Sequence, residues 1–168
     1  MEICGECGSS PRNIYQYARQ RYREEKDAGD PFDQVFCVFD KDTHTTYQST
    51  IDQINRATPK NIYNATTSIP CFEYWLLLHF SYTTRPYVTL PKNSACDQVL
   101  AELRGYIPDY AKGGDDIFPA QIDQLEFAKN NAARSLKAAK LIQTDNPTTR
   151  VHKLVAFLQN IKKLDERK

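Results

Sequence analysis

Val35-Phe36-Cys37-Val38-Phe39 constrains the fold more than any other stretch of the chain. It is a continuous apolar run with turn-forming residues before it and two aspartates directly after it. An uninterrupted run of this kind predicts a strand buried on both faces, the pattern of a parallel sheet covered by helices. The flanking sequence fits that frame. Residues 1–4 are a first strand candidate, stopped by Gly5 and Gly8. Ser9 or Ser10 can cap a helix with Pro11 in its first turn. That helix runs to about Asp27, with Ile14, Tyr15, Ala18 and Tyr22 on one side and Arg12, Arg19, Arg21, Arg23 and Lys26 on the other. Residues 45–57 read as the next helix and residues 60–65 as a third strand. The order strand, helix, strand, helix, strand predicts an α/β core with three parallel strands, around Ile3, Val35 to Phe39, and Ile62.

Beyond this core the pattern changes. Pro70-Cys71-Phe72-Glu73-Tyr74-Trp75-Leu76-Leu77-Leu78-His79-Phe80 is the most apolar segment and reads as a buried helix with proline at its start. Residues 81–119 are irregular, with four prolines and Gly113-Gly114 around a short helix at 96–104. Residues 121–142 predict a long alanine-rich helix. Asp145 or Asn146 can cap a last one, with Pro147 in its first turn and Val151, Leu154, Val155, Leu158 and Ile161 facing inward. We therefore expect an α/β core over 1–80 and a helical extension over 81–168.

Composition narrows the class. With 168 residues, 40% hydrophobic and 26% charged, the chain has the balance of an ordinary folded domain. No apolar run reaches the roughly 18 residues of a membrane span, and no secretory signal is visible, so a cytoplasmic protein is expected. The net charge of +1 means that any site for a phosphate-bearing partner must be locally basic. Five cysteines, an odd number, fit buried free thiols in a reducing compartment. Cys4-Gly5-Glu6-Cys7 is a CxxC that can be a zinc half-site, a redox pair or a plain strand end. A structural zinc needs four ligands and there is no second pair, so no metal is expected on Cys4 and Cys7.

The chemistry-bearing feature is Asp40-Lys41-Asp42, directly after the apolar strand. Open parallel sheets bind ligands beyond the carboxyl ends of their strands. Two aspartates one residue apart can point the same way if the backbone stays extended, and together they offer hard oxygens to a magnesium or manganese ion. Such an ion relieves their repulsion and leaves positions open for phosphate and water. The plainer alternative is a turn, with Asp42 capping the helix at 45–57. A strand followed by DxD also opens phosphatases of the haloacid dehalogenase type, but here His44 stands where those usually have Thr or Val.

Glu73 lies in an apolar helix, where a carboxylate needs a partner, a metal or a place near the helix N-terminus. His79 reads as a satisfied core histidine. Lys112 lies in a loop beside Gly113-Gly114-Asp115-Asp116 and can neutralise charge on a phosphate. Arg134, Lys137 and Lys140 form a basic stripe that is either a solvated face or a track for a nucleic-acid backbone.

Several segments, in order, resemble RloB-like proteins. They are Gly8-Ser9-Ser10-Pro11, the stretch from Phe32 through Asp40-Lys41-Asp42, the Cys71-Phe72-Glu73 to Phe80 segment, Tyr110-Ala111-Lys112, and Asn146-Pro147-Thr148-Thr149-Arg150-Val151-His152-Lys153-Leu154-Val155. The resemblance implies a Toprim-like fold with Asp40 and Asp42 on the metal. It implies a presumed nuclease linked to bacterial restriction and phage defence, often beside an ATPase. Glu73 and Lys112 match characteristic positions of the group. Its members generally begin with an extra strand ending in a glutamate, the general acid or base. Here that unit is expected to be missing, with Glu2 or Glu6 as rival candidates for the role. Three functions follow as expectations: a metal-dependent nuclease acting on DNA or RNA, a non-catalytic subunit binding an ATPase or nucleic acid, and a phosphatase of small substrates.

Overall fold

The computed structural model describes residues 1–113 and 121–165, so Gly114, Asp115 and Asp116 of the expected lysine loop lie outside the described residues. The chain forms two compact units, residues 1–67 and 68–168. The sequence pattern groups the apolar segment at 70–80 with the α/β core. The division precedes that segment, which falls instead with the helical half.

In the first unit, α1 (Pro11–Asp27) starts where the sequence places it. Ser10 is the N-cap and accepts a hydrogen bond from the Asn13 amide, and Pro11 needs no partner for its missing N–H. Tyr15 and Tyr22 are buried, and both meet the Tyr63 ring edge-on, at centroid distances of 5.7 and 5.6 Å. β1 (Val35–Asp40) follows, then α2 (Tyr47–Arg56). The β1 run is not buried on both faces. Cys37 and Phe39 are buried but Val38 between them is 45% exposed, so the strand alternates. Phe39 packs edge-on against Tyr47 of α2. The segment around Ile3 is not a strand: it is irregular and Ile3 is 85% exposed. Its Glu2 side chain pairs with Arg21 of α1 at 3.0 Å. Arg21 also meets Glu24 and Glu25, so this one member of the expected basic face of α1 is internally neutralised.

β2 (Tyr63–Ile69) begins later and runs further than the sequence suggests, and its last two residues belong to the second unit. There Ser68 and Ile69 pair antiparallel with Thr149 and Thr148 of β3 (Thr148–Thr149). The sheet is small, three-stranded and mixed, in the order β1-β2-β3, rather than wholly parallel.

The second unit is mostly helical: α3 (Glu73–Leu77), α4 (Ala95–Arg104), a 3-10 turn (Ile122–Gln124) leading into α5 (Leu125–Leu141), and α6 (Val151–Asp165). The expected helix over 70–80 is cut to α3. Its end tightens into i to i−3 bonds, His79 N–H to Leu76 O and Phe80 N–H to Leu77 O. α4 opens with a reciprocal cap between Ser94 and Asp97. Pro147 does not start the last helix as expected. Its carbonyl accepts from Ser135, and the next two residues are taken by the sheet. One cluster organises this unit, with Tyr74, Leu77, Leu78, Tyr87, Val99, Leu103, Ala128 and Ala132 essentially inaccessible. α5 turns Ala128, Asn131, Ala132, Ser135 and Ala139 inward at helical spacing.

Candidate functional site

In the first unit, Asp40 is the last residue of β1 and half-buried, and Asp42 is exposed in the turn that follows. The extended backbone assumed for the pair does not hold. Asp42 has φ +34°, in the left-handed region that aspartate tolerates better than most residues. The turn closes by a bond from the His44 amide to the Lys41 carbonyl. Asp42 does not cap α2, whose N-cap is Thr46 and which has no side-chain cap bond. Lys41 places its ammonium 5.8 Å from the centre of the Tyr47 ring. Two carboxylates on such a turn match magnesium in donor type, because that ion takes one or two carboxylates and keeps several waters.

The second unit holds a denser cluster. Glu73 is the first residue of α3 and 4% exposed. Lys112 Nζ sits 3.0 Å from its Oε1, and the Tyr110 hydroxyl donates to the same oxygen at 3.3 Å. Burial first, and then the neighbouring carboxylate, push the Tyr110 phenol up to about 12. The ion pair is lopsided: Glu73 is 5% exposed at its side chain and Lys112 60%. The lysine therefore neutralises a buried charge while reaching solvent.

Cys96 lies beside the other carboxylate oxygen and is joined to Cys71 as a disulfide, contrary to the expectation of free thiols. Cys4, Cys7 and Cys37 are free thiols. Cys96 Sγ lies 3.7 Å from Glu73 Oε2 and 3.8 Å from Lys112 Nζ. A disulfide sulfur has no hydrogen to donate, so in this state these are close approaches rather than hydrogen bonds. Among the described residues, Cys71, Glu73 and Cys96 are the group whose potential metal-ligand atoms gather, all within 4.8 Å. Such a group offers thiolates only when reduced.

His79 is the satisfied core histidine expected. It is 3% exposed, with Nδ1 at 3.1 and 3.2 Å from the Trp75 and Leu76 carbonyl oxygens. Burial lowers its pKa, partly opposed by those two bonds. Arg134, Lys137 and Lys140 are all exposed, opposite the alanine-rich face of α5. Arg134 already stacks over Tyr82, its guanidinium carbon 4.0 Å from the ring centroid.

The model of the RloB-like protein family matches residues 2–158. The chain belongs to the RloB-like family. Neither a curated protein nor a solved structure matches it. Within this RloB-like chain the structure brings Glu73 and Lys112 together, two positions far apart in the sequence that each stand out there separately. The disulfide and the bond from Tyr110 are not legible in the sequence. Tyr110 stands two residues before Lys112 in a segment that carries the family resemblance, but its partner is set by how α3 meets the chain after α4. Glu2, one rival for the missing strand-end glutamate, is occupied by Arg21, which holds its carboxyl below the usual range.

Proposed function

We propose that this chain is a Toprim-like, metal-dependent nuclease domain of a bacterial phage-defence system, cleaving phosphodiester bonds in DNA or RNA in the cytoplasm. The observation that carries the reading is Asp40-Lys41-Asp42, at the carboxyl end of β1 in a chain that the RloB-like model spans almost throughout. Asp40 and Asp42 are the residues to hold magnesium or manganese, which when bound supplies Lewis-acid activation of a phosphate oxygen and an attacking water. Lys112 is the candidate to offset phosphate charge, since its ammonium reaches solvent while tied to Glu73. Arg134, Lys137 and Lys140 are the candidate residues to touch the nucleic-acid backbone. That no described helix is long and apolar enough to cross a membrane agrees with this assignment.

A second reading has its own support. Glu2, a candidate for the family's strand-end glutamate, lies on an irregular segment and is ion-paired with Arg21 rather than turned to a metal. That favours a non-catalytic subunit that binds nucleic acid or a partner ATPase. One assay separates the two. Single- and double-stranded DNA and RNA are incubated with the protein and magnesium or manganese, beside Asp40→Asn and Asp42→Asn. Cleavage by wild type that both variants lose supports the nuclease. Metal binding without cleavage of any substrate supports the subunit.

A further inference from the structure

The disulfide between Cys71 and Cys96, with Cα atoms 5.8 Å apart, ties the approach to α3 to the first turn of α4. Its sulfurs differ in access. Cys71 is 2% exposed, whereas Cys96 is half-buried. They differ in electrostatics too. Lys112 Nζ and the N-terminus of α4 both favour a thiolate on Cys96, and Glu73 opposes one. One sulfur of the pair thus sits between an ammonium and a carboxylate that are themselves ion-paired.

We propose that Cys71 and Cys96 form a redox-active site that exchanges with thiols and disulfides of the glutathione class through Cys96, and that its state resets the Glu73–Lys112 pair. In reduction, an external thiolate attacks Cys96 Sγ, the accessible end of the bond. A mixed disulfide forms on Cys96, the Cys71–Cys96 bond breaks, and Cys71 leaves as a thiolate that takes up a proton. A second external thiolate attacks the external sulfur, forming the small-molecule disulfide and releasing Cys96. In sum the protein disulfide and two thiols become a protein dithiol and one external disulfide, and oxidation is the reverse. The reduced Cys96 gains an S–H donor that it lacks in the disulfide, with Glu73 Oε2 in reach. Its thiolate fraction competes with Glu73 for Lys112, and the covalent tie beside Glu73 is gone. The exchange chemistry does not depend on the nuclease reading.

The test uses the full-length protein in buffers of varied reduced-to-oxidised glutathione ratio. After an acid quench, differential alkylation and peptide mass mapping report each cysteine. Cys71 and Cys96 should pass together from bonded to free across the series, with trapped glutathione on Cys96. At neutral pH, Lys112→Gln should slow exchange at Cys96 several-fold, and Glu73→Gln should speed it. The proposal falls if the pair stays bonded, or stays free, at every ratio, or if glutathione is trapped on Cys71. It also falls if the reduced protein holds one zinc that blocks reoxidation, which would make the cluster a metal site. Equal rates in the two charge variants would overturn the control assigned to Lys112 and Glu73. If a variant does not fold, the wild-type titration still decides the exchange itself.

Discussion

Asp42 stands exposed in a left-handed turn at the end of β1, whereas Glu73 is 4% exposed and engaged by Tyr110 and Lys112. The first unit carries its acidic pair where β1 runs out into a surface turn, and a bound cation there can change the energetics without disturbing a core. The second builds its acidic residue into the core and must satisfy it there. The difference shows that a carboxylate beside an apolar run can have opposite meanings. After a strand it emerges at the surface, but at the start of a buried helix it becomes part of the interior.

The sharpest way to break this contrast is to cut side chains from each unit. Tyr74 is fully buried, its hydroxyl 2.7 Å from both Thr83 O and Ser135 Oγ. Tyr74→Ala should cost about 3–5 kcal/mol in urea unfolding. Val38→Ala, at a position 45% exposed in β1, should stay within about 0.5 kcal/mol. Equal losses would mean that β1 is covered more deeply than the structure shows.

Tyr110→Phe tests whether Glu73 is held as a buried charge. Loss of the hydroxyl that donates at 3.3 Å should cost about 1.5 kcal/mol. Asp42→Asn without metal should be neutral or slightly stabilising, since any repulsion with Asp40 is relieved. A silent Tyr110→Phe would assign the work of satisfying Glu73 to Lys112 alone.

Magnesium should act on the first unit. At ten times its dissociation constant it adds about 1.4 kcal/mol by mass action, seen as a raised melting temperature. Asp40→Asn and Asp42→Asn should abolish the rise. The same response in all three proteins would reduce the motif to a turn.

Acid should act on the second unit. Burial lowers the folded pKa of His79 and of His152, so the unfolded chain binds protons more readily at both. Stability is then full above the ordinary histidine value near 6.5 and declines as the pH falls below it. Urea midpoints at pH 7.5 and 5.5 check this, and His79→Asn should shrink the decline. A small effect on stability is expected at the stripe. Arg134→Ala with Lys137→Ala should lower stability only by the stack of Arg134 on Tyr82, about 0.5–1 kcal/mol, but flatten the salt dependence of nucleic-acid binding, by about 0.9 in slope for each phosphate that is no longer neutralised.

Local signals in the sequence determined where α1 and β1 start. Ser10 with Pro11 opens α1, and the apolar run after the turn residues opens β1 at Val35. These are cues that act within one turn of backbone, so a linear reading finds them. Family membership was legible for the same reason, since it rests on residues in order. The partners of Glu73, the Cys71–Cys96 bond, the shortening of α3 and the capture of Thr148 and Thr149 by β2 were decided by tertiary structure. So was the exposure of Ile3, which reads as a strand but has no described pairing partner. Each of these depends on which distant segment arrives alongside. A strand needs a neighbour, a buried charge needs a counter-charge, and a thiol needs a second sulfur within bonding reach. Residue order carries none of those distances until the chain has packed.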